Sequence, residues 1–190
     1  VSLSTLQELY VWRAHSPLTK KSIPKSAVFT PYHLTPGGGE RVVFNMIAAL
    51  QRLTDHSVDL LVAKNNVCRN TRCARRVAHT LDISGLDWLR IKVRAINDKR
   101  HGYLIWIQMA NSLFPPESSR GHFAVYHCQF PFDGQRRLMD SDGGIRRLST
   151  YNIVYLNSRY TANWYRKFLT SERRKFVQRH GFAPTLPPVT

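Results

Sequence analysis

Acid is scarce in this chain beside base. Its 190 residues carry 12 Asp and Glu against 28 Lys and Arg, a formal net charge of +16. Such an excess favours phosphate-bearing substrates, nucleic acid or an anionic membrane surface as partners, and it says nothing about fold. The cations lie in clusters (Arg72/Arg75/Arg76, Arg90/Lys92/Arg94, Arg136/Arg137/Arg146/Arg147 and Arg166/Lys167/Arg173/Arg174/Lys175) rather than in one tail. No helix-turn-helix, zinc-finger, RRM or KH signature accompanies them, which argues against nucleic acid. Cysteine is scarce too. Cys68, Cys73 and Cys128 make no even framework, and Cys68-x4-Cys73 has no partner pair to complete a zinc site. A reduced, cytosolic setting is therefore expected, with a Cys68–Cys73 disulfide as the alternative. No apolar run approaches the roughly 18 residues of a membrane span, and no secretory leader is visible. A G-K-[ST] sequence is missing, which excludes a P-loop. Asp140-Ser-Asp142 is the one D-x-D and lies in a polar segment, so it reads as chance and no metal site is expected.

What is present begins with Ala27-Val-Phe-Thr-Pro-Tyr-His-Leu-Thr-Pro-Gly37-Gly-Gly39-Glu-Arg-Val. An apolar strand runs into a triple-glycine turn, and an amphipathic helix follows. Glycines can take positive φ and bring bare amides close to a ligand, and a helix start adds unpaired N–H groups and the positive end of its dipole. That combination suits an anion, phosphate above all; a plain connection needing flexibility has the same composition. Val42, Val43, Met46, Ile47, Ala49, Leu50 and Leu53 form the apolar stripe of the helix, and His56–Val62 reads as the next strand. A β-α-β unit with a parallel sheet results. The turn lacks the last glycine of G-x-G-x-x-G, and Asp59 lies inside the second strand instead of ending it, which argues against an NAD site.

Along the rest of the chain, residues 1–25 read as a connector with a short helix over Ser4–Arg13, and residues 26–190 as one domain. With 43% hydrophobic residues the chain is globular in composition. Residues 64–80 read as a loop or an exposed helix, and Leu81–Ile96 is ambiguous between strand and helix. Tyr103–Ala110 reads as a strand or a buried helix, His122–His127 as a strand. A basic helix within Gly134–Ser149 and a strand over Tyr151–Asn157 follow. Ser158 suits an N-cap, and Thr161, Trp164, Tyr165 and Phe168 mark the buried stripe of the last helix. Strands alternating with helices predict an α/β layered fold with ligands at the carboxyl ends of strands. Gly37–Gly39, His127-Cys-Gln129 and Asn157-Ser158 all fall at such ends.

Pro36-Gly-Gly-Gly-Glu-Arg-Val-Val, Asn111-Ser-Leu-Phe-Pro-Pro, His127-Cys-Gln-Phe-Pro-Phe, Val154-Tyr-Leu-Asn-Ser-Arg-Tyr-Thr-Ala and Leu186-Pro-Pro-Val stand in that order. Together they resemble the N-terminal domain of family 4 retaining glycosyltransferases of the GT-B type, nearest to the branch of lipid-linked-oligosaccharide mannosyltransferases. The resemblance spans Ala27 to Thr190. It implies a single Rossmann-like domain with a mostly parallel sheet, the acceptor-side half of an enzyme that moves a hexose from a sugar nucleotide to a glycan or lipid-linked acceptor. By the same resemblance Gly37, Gly38 and Gly39 lie beneath the diphosphate, while Asn157 and Ser158 form a mainly structural signature; Glu40, Arg41 and His33, close to the turn in sequence, join them as candidate substrate-binding residues. The family's strand-end His corresponds to Gln129, which cannot titrate; His127, two residues earlier, is an imperfect substitute. The E-x7-E motif and the nucleotide-binding domain of the family are absent, so this chain alone is expected to be inactive, with no cofactor and with metal-independent transfer in the whole protein. Both ends look cut from something longer. Cytoplasmic location, with peripheral contact of Arg136, Arg137, Arg146 and Arg147 on an anionic membrane, is the accompanying expectation. A non-catalytic binding module and a basic nucleic-acid-binding domain are the alternatives.

Overall fold

A computed structural model describes residues 24–96, 102–130 and 141–190. The expected helix over Ser4–Arg13 lies outside these residues, as do Arg136 and Arg137. In chain order the elements are β1 (Lys25–Thr30), α1 (Gly38–Leu53), β2 (Ser57–Val62), α2 (Thr71–Thr80), β3 (Ile91–Ala95), β4 (Tyr103–Ala110), β5 (Gly121–Cys128), α3 (Ser141–Leu148), β6 (Ile153–Leu156) and α4 (Arg159–His180). All six strands pair in parallel in the order β3-β2-β1-β4-β5-β6. The fold is a Rossmann-like α/β domain. Strand order reverses between β1 and β4, and in such sheets the crevice outside the carboxyl ends at that point is where ligands bind.

Both faces of the sheet are covered, which is why its central strands are almost continuously apolar. On one face Val43, Phe44 and Ile47 of α1 and Ala74 and Val77 of α2 pack on Val28, Leu60 and Val62. On the other, Ile145 and Leu148 of α3 and Tyr165, Phe168 and Phe176 of α4 pack on Trp106, Tyr126 and Val154. Two positions leave the expected stripes. Leu53 is the last residue of α1 and is 61% exposed, whereas Phe44 is fully buried; Trp164 is 36% exposed while Thr161, Tyr165 and Phe168 turn inward.

The ambiguous segments resolve through local capping. Residues 71–80 form α2 because Asn70 accepts the Cys73 N–H at its N-terminus (2.9 Å). A single 3₁₀ turn, Trp88–Arg90, precedes β3. β4 and β5 are joined without a helix: the link carries buried Phe114, which fills the space under α3 at Gly144. The closing segment runs parallel beside β6, Thr190 N–H donating to Val154 O (2.9 Å) and Leu156 N–H to Thr190 O (3.0 Å).

Cysteine chemistry departs from expectation. Cys68 and Cys73 are disulfide-bonded with α-carbons 5.5 Å apart, because the first turn of α2 carries Cys73 back over the loop that follows β2. The reduced state inferred from the uneven count does not hold for this pair. Cys128 alone is free, and burial pushes its thiol up to about 12.

Candidate functional site at the strand-order reversal

The glycine turn follows β1 at the reversal point, as its position in the sequence requires, but not for the conformational reason expected. None of Gly37, Gly38 and Gly39 takes a positive φ; Gly37 is extended and the other two open α1. Each is small for a different local reason. A Cβ on Gly37 would stand 2.8 Å from Glu40 Oε2, because the Glu40 carboxylate folds back over the start of its own helix. A Cβ on Gly38 would meet nothing within 4 Å. A Cβ on Gly39 would lie 3.5 Å from Gln129 Oε1 and 3.6 Å from Met109 Cε. Among the described residues no side chain makes a capping hydrogen bond at Gly37, and the buried Glu40 is the near neighbour of the helix start.

Three loops are fastened together around this turn. Asn66, fully buried after β2, donates Nδ2–H to Tyr32 O (2.8 Å) and accepts N–H from Leu34 (3.4 Å) and Cys68 (2.9 Å). Tyr32 in turn accepts the Asn111 N–H on its hydroxyl (2.6 Å), linking the β1 loop to the end of β4. Burial first of all raises the Tyr32 pKa, which keeps its hydroxyl protonated. Gln129 is held by its own N–H to Ala110 O (3.1 Å). Neither Tyr32 nor Asn66 stood out in the sequence, and the only available signal was their place in the loops after β1 and β2. Asn111 belonged to a recognised motif without a role; its Oδ1 is buried with no partner among the described residues.

His127 lies one strand further on, within β5. It is 2% exposed, stacks on Tyr155 (5.2 Å between ring centroids, 28° between planes), and its Nδ1 is buried with no partner among the described residues. Burial drives its pKa down to about 4, with a backbone contact at Tyr155 opposing part of the drop. At neutral pH the ring is uncharged. His33 and Arg41 are exposed beside the turn. Among the described residues the groups at the turn are therefore carboxamides and backbone amides, suited to hydroxyls and to an anion's oxygens, together with the buried Glu40 carboxyl group.

Asn157 and Ser158 do not join this group. They end β6, three strands from β1, about 14 Å at the usual strand spacing. There Ser158 accepts the Thr161 N–H (3.1 Å) and Asn157 Oδ1 accepts the Thr161 hydroxyl (2.8 Å), so both cap α4 while lining a surface hollow of about 440 Å³. Of the arginines expected to dock on a membrane, Arg146 is exposed with its guanidinium over the Phe176 ring (5.8 Å), and Arg147 is half-buried and donates Nε–H to Pro115 O (2.8 Å). Asp142 is held by Arg179 and by His180 (2.8 Å), and its hydrogen bond to Arg179 is the leading cause that lowers its pKa. Among the described residues no helix is long and apolar enough to cross a membrane. Comparison with known proteins finds no matching family model, no matching curated protein and no matching solved structure.

Proposed function

We propose that this chain is the acceptor-side domain of a retaining glycosyltransferase, acting in hexose transfer from a sugar nucleotide to a glycan or lipid-linked acceptor. The observation that carries the reading is the position of Gln129 Oε1, 3.5 Å from where a Cβ on Gly39 would stand, at the reversal point of the sheet. It brings a hydroxyl-binding carboxamide against a bare helix start at the place where α/β sheets take ligands. Departure of a nucleoside diphosphate builds negative charge on phosphate, and fixed backbone dipoles meet such charge without reorganising. Contacts to the base and ribose belong, on this reading, to a second Rossmann-like domain of the same protein. A second reading, a binding module without chemistry, draws on one fact: the turn has Gln129 where the resembling family has a titrating His.

Backbone amide shifts of the 190-residue chain, titrated with pyrophosphate and with nucleoside diphosphate hexoses, test the binding half. Gly38 and Gly39 are expected to shift, weakly and together with Gln129; unmoved amides at the turn overturn the proposal. Robust transfer by this chain alone overturns it as well. In the protein that carries the chain, the enzyme reading expects Gln129→Ala to lower transfer and Gln129→His to restore it. The module reading expects no transfer from any of the three.

A further inference from the structure

The most one-sided surface among the described residues is the outer face of α4. Thr170 is exposed near its middle, and the residues three and four places away on either side are Arg166, Lys167, Arg173 and Arg174. Such neighbours stand about 5–6 Å apart on a helix surface. Ser171 has Lys167 and Lys175 at the same spacing. Four of these cations wall an open trough of about 530 Å³ floored by Thr170 and Ser171. Little acid answers them. Glu172 is buried and engages Lys175 alone (2.8 Å), Arg166 donates to Val189 O (3.1 Å), and Lys167 lies over the Trp164 ring (5.1 Å). Arg173 and Arg174 have no carboxylate partner among the described residues.

The same side of the helix carries aromatic rings in the open. Tyr160, Lys167 and Arg174 follow one another at seven-residue intervals, and Tyr160 is 71% exposed with Trp164 packed edge-on against it at 6.3 Å. Exposed Tyr and Trp beside cations is the composition that sits at the headgroup level of a bilayer, rings at the interface and cations on lipid phosphates. The trough itself argues for a surface over a small ion. All its walls come from one helix, so a free phosphate touches few groups and stays solvated, whereas a lipid surface offers phosphates to every cation at once.

We propose that the outer face of α4 docks the protein on anionic phospholipid, with lipid phosphates in the trough over Thr170 and Ser171 and with Tyr160 and Trp164 at headgroup depth. This differs from docking through Arg146 and Arg147, which lie on α3, and it stands whether or not the chain serves a transferase. The experiment is co-sedimentation of the 190-residue chain with phosphatidylcholine vesicles, with and without phosphatidylserine. Binding is expected only with phosphatidylserine. The pair Lys167→Gln and Arg174→Gln should weaken it about twenty-five-fold, five-fold for each cation near the surface. Arg72→Gln with Arg76→Gln removes equal charge from exposed positions of α2 and should leave binding as it was. Thr170→Glu sets a carboxylate among the four cations. Its pairs at four-residue spacing support the helix, so the variant should melt no lower than wild type and yet bind about five-fold more weakly. Equal binding to neutral and anionic vesicles, equal loss in the α2 pair, undiminished binding of Thr170→Glu, or capture by single-stranded RNA with none by vesicles would overturn the proposal.

Discussion

His127 makes stability depend on pH in a direction and over a range that its surroundings define. Burial beside Tyr155 holds its pKa at about 4 in the folded chain, against an ordinary value of about 6.5 when unfolded. Between these values the unfolded chain binds a proton that the folded chain refuses. Its contribution is therefore complete above about pH 6.5 and is lost as pH falls toward 4. With those two values, going from pH 7.5 to pH 5 costs about 2 kcal/mol, the difference in proton binding integrated over the interval. For a chain of this size that is a fall of roughly 4–8 °C in Tm. Other groups titrate in the same range, so the comparison that isolates His127 is His127→Phe, which keeps a flat ring against Tyr155 and has no proton to bind. Urea unfolding followed by tryptophan fluorescence at pH 7.5, 6 and 5 should show wild type losing about 2 kcal/mol more than the variant. Parallel stability curves would refute the idea that burial keeps this ring neutral, and a titrating His127 would then have to be considered in the chemistry of the site at neutral pH.

Gly38→Ala should raise stability by about 0.5–1 kcal/mol, since its Cβ meets nothing within 4 Å and Ala is the better helix former. Calorimetry checks that gain, and the same variant should weaken pyrophosphate-induced amide shifts at the turn; a stabilised variant with unchanged shifts would remove Gly38 from the ligand seat. Gly144→Ala should act oppositely: its Cβ would lie 2.9 Å from Phe114 Cβ and against the Phe114 ring, and overpacking of about 1–3 kcal/mol outweighs the roughly 1 kcal/mol gain in helix propensity. Chemical denaturation should find the variant less stable by the difference, up to about 2 kcal/mol, with most of the loss recovered in a Phe114→Leu background; a variant more stable than wild type would contradict the packing.

The features legible in the sequence were those set by local pattern. Ala27–Val62 contains two apolar runs around one helical stripe, and a parallel β-α-β unit follows from that alone. Ser158 announces its cap by residue type and position. What stayed hidden depends on pairings between distant segments. The burial of His127 comes from the register that sets it opposite Tyr155, and nothing within β5 encodes that neighbour. The separation of Asn157 and Ser158 from the glycine turn follows from β6 taking the far edge of the sheet, whereas shared strand ends alone suggested convergence. The neighbours of Arg146 and Arg147, the Phe176 ring and the Pro115 carbonyl, were also hidden, because a sequence shows charge and not the distant groups that meet it. The cluster on α4 was equally visible, but its distinction lies in helical spacing around Thr170 and in the shortage of nearby acid.

The carboxamides and backbone amides around the glycine turn would order a bound ligand on the proposed reading. Glu40 folds over Gly37 and makes that end of the turn hostile to a second anion, so the open approach is over Gly38. On the other flank Gln129 Oε1 lies 3.5 Å from where a Cβ on Gly39 would stand, and Asn111 at the end of β4 holds a buried oxygen with no partner among the described residues. On the proposed reading a sugar nucleotide would then enter with one polarity, its phosphates toward the amides at Gly38 and its hydroxyls toward the two carboxamides. An Asn oxygen left bare under cover costs free energy, commonly about 1–3 kcal/mol, until a donor meets it. A sugar hydroxyl is such a donor, and a phosphate oxygen is not. The Asn66–Tyr32–Asn111 fastening keeps these groups in place before any ligand arrives, which lowers the ordering cost of binding.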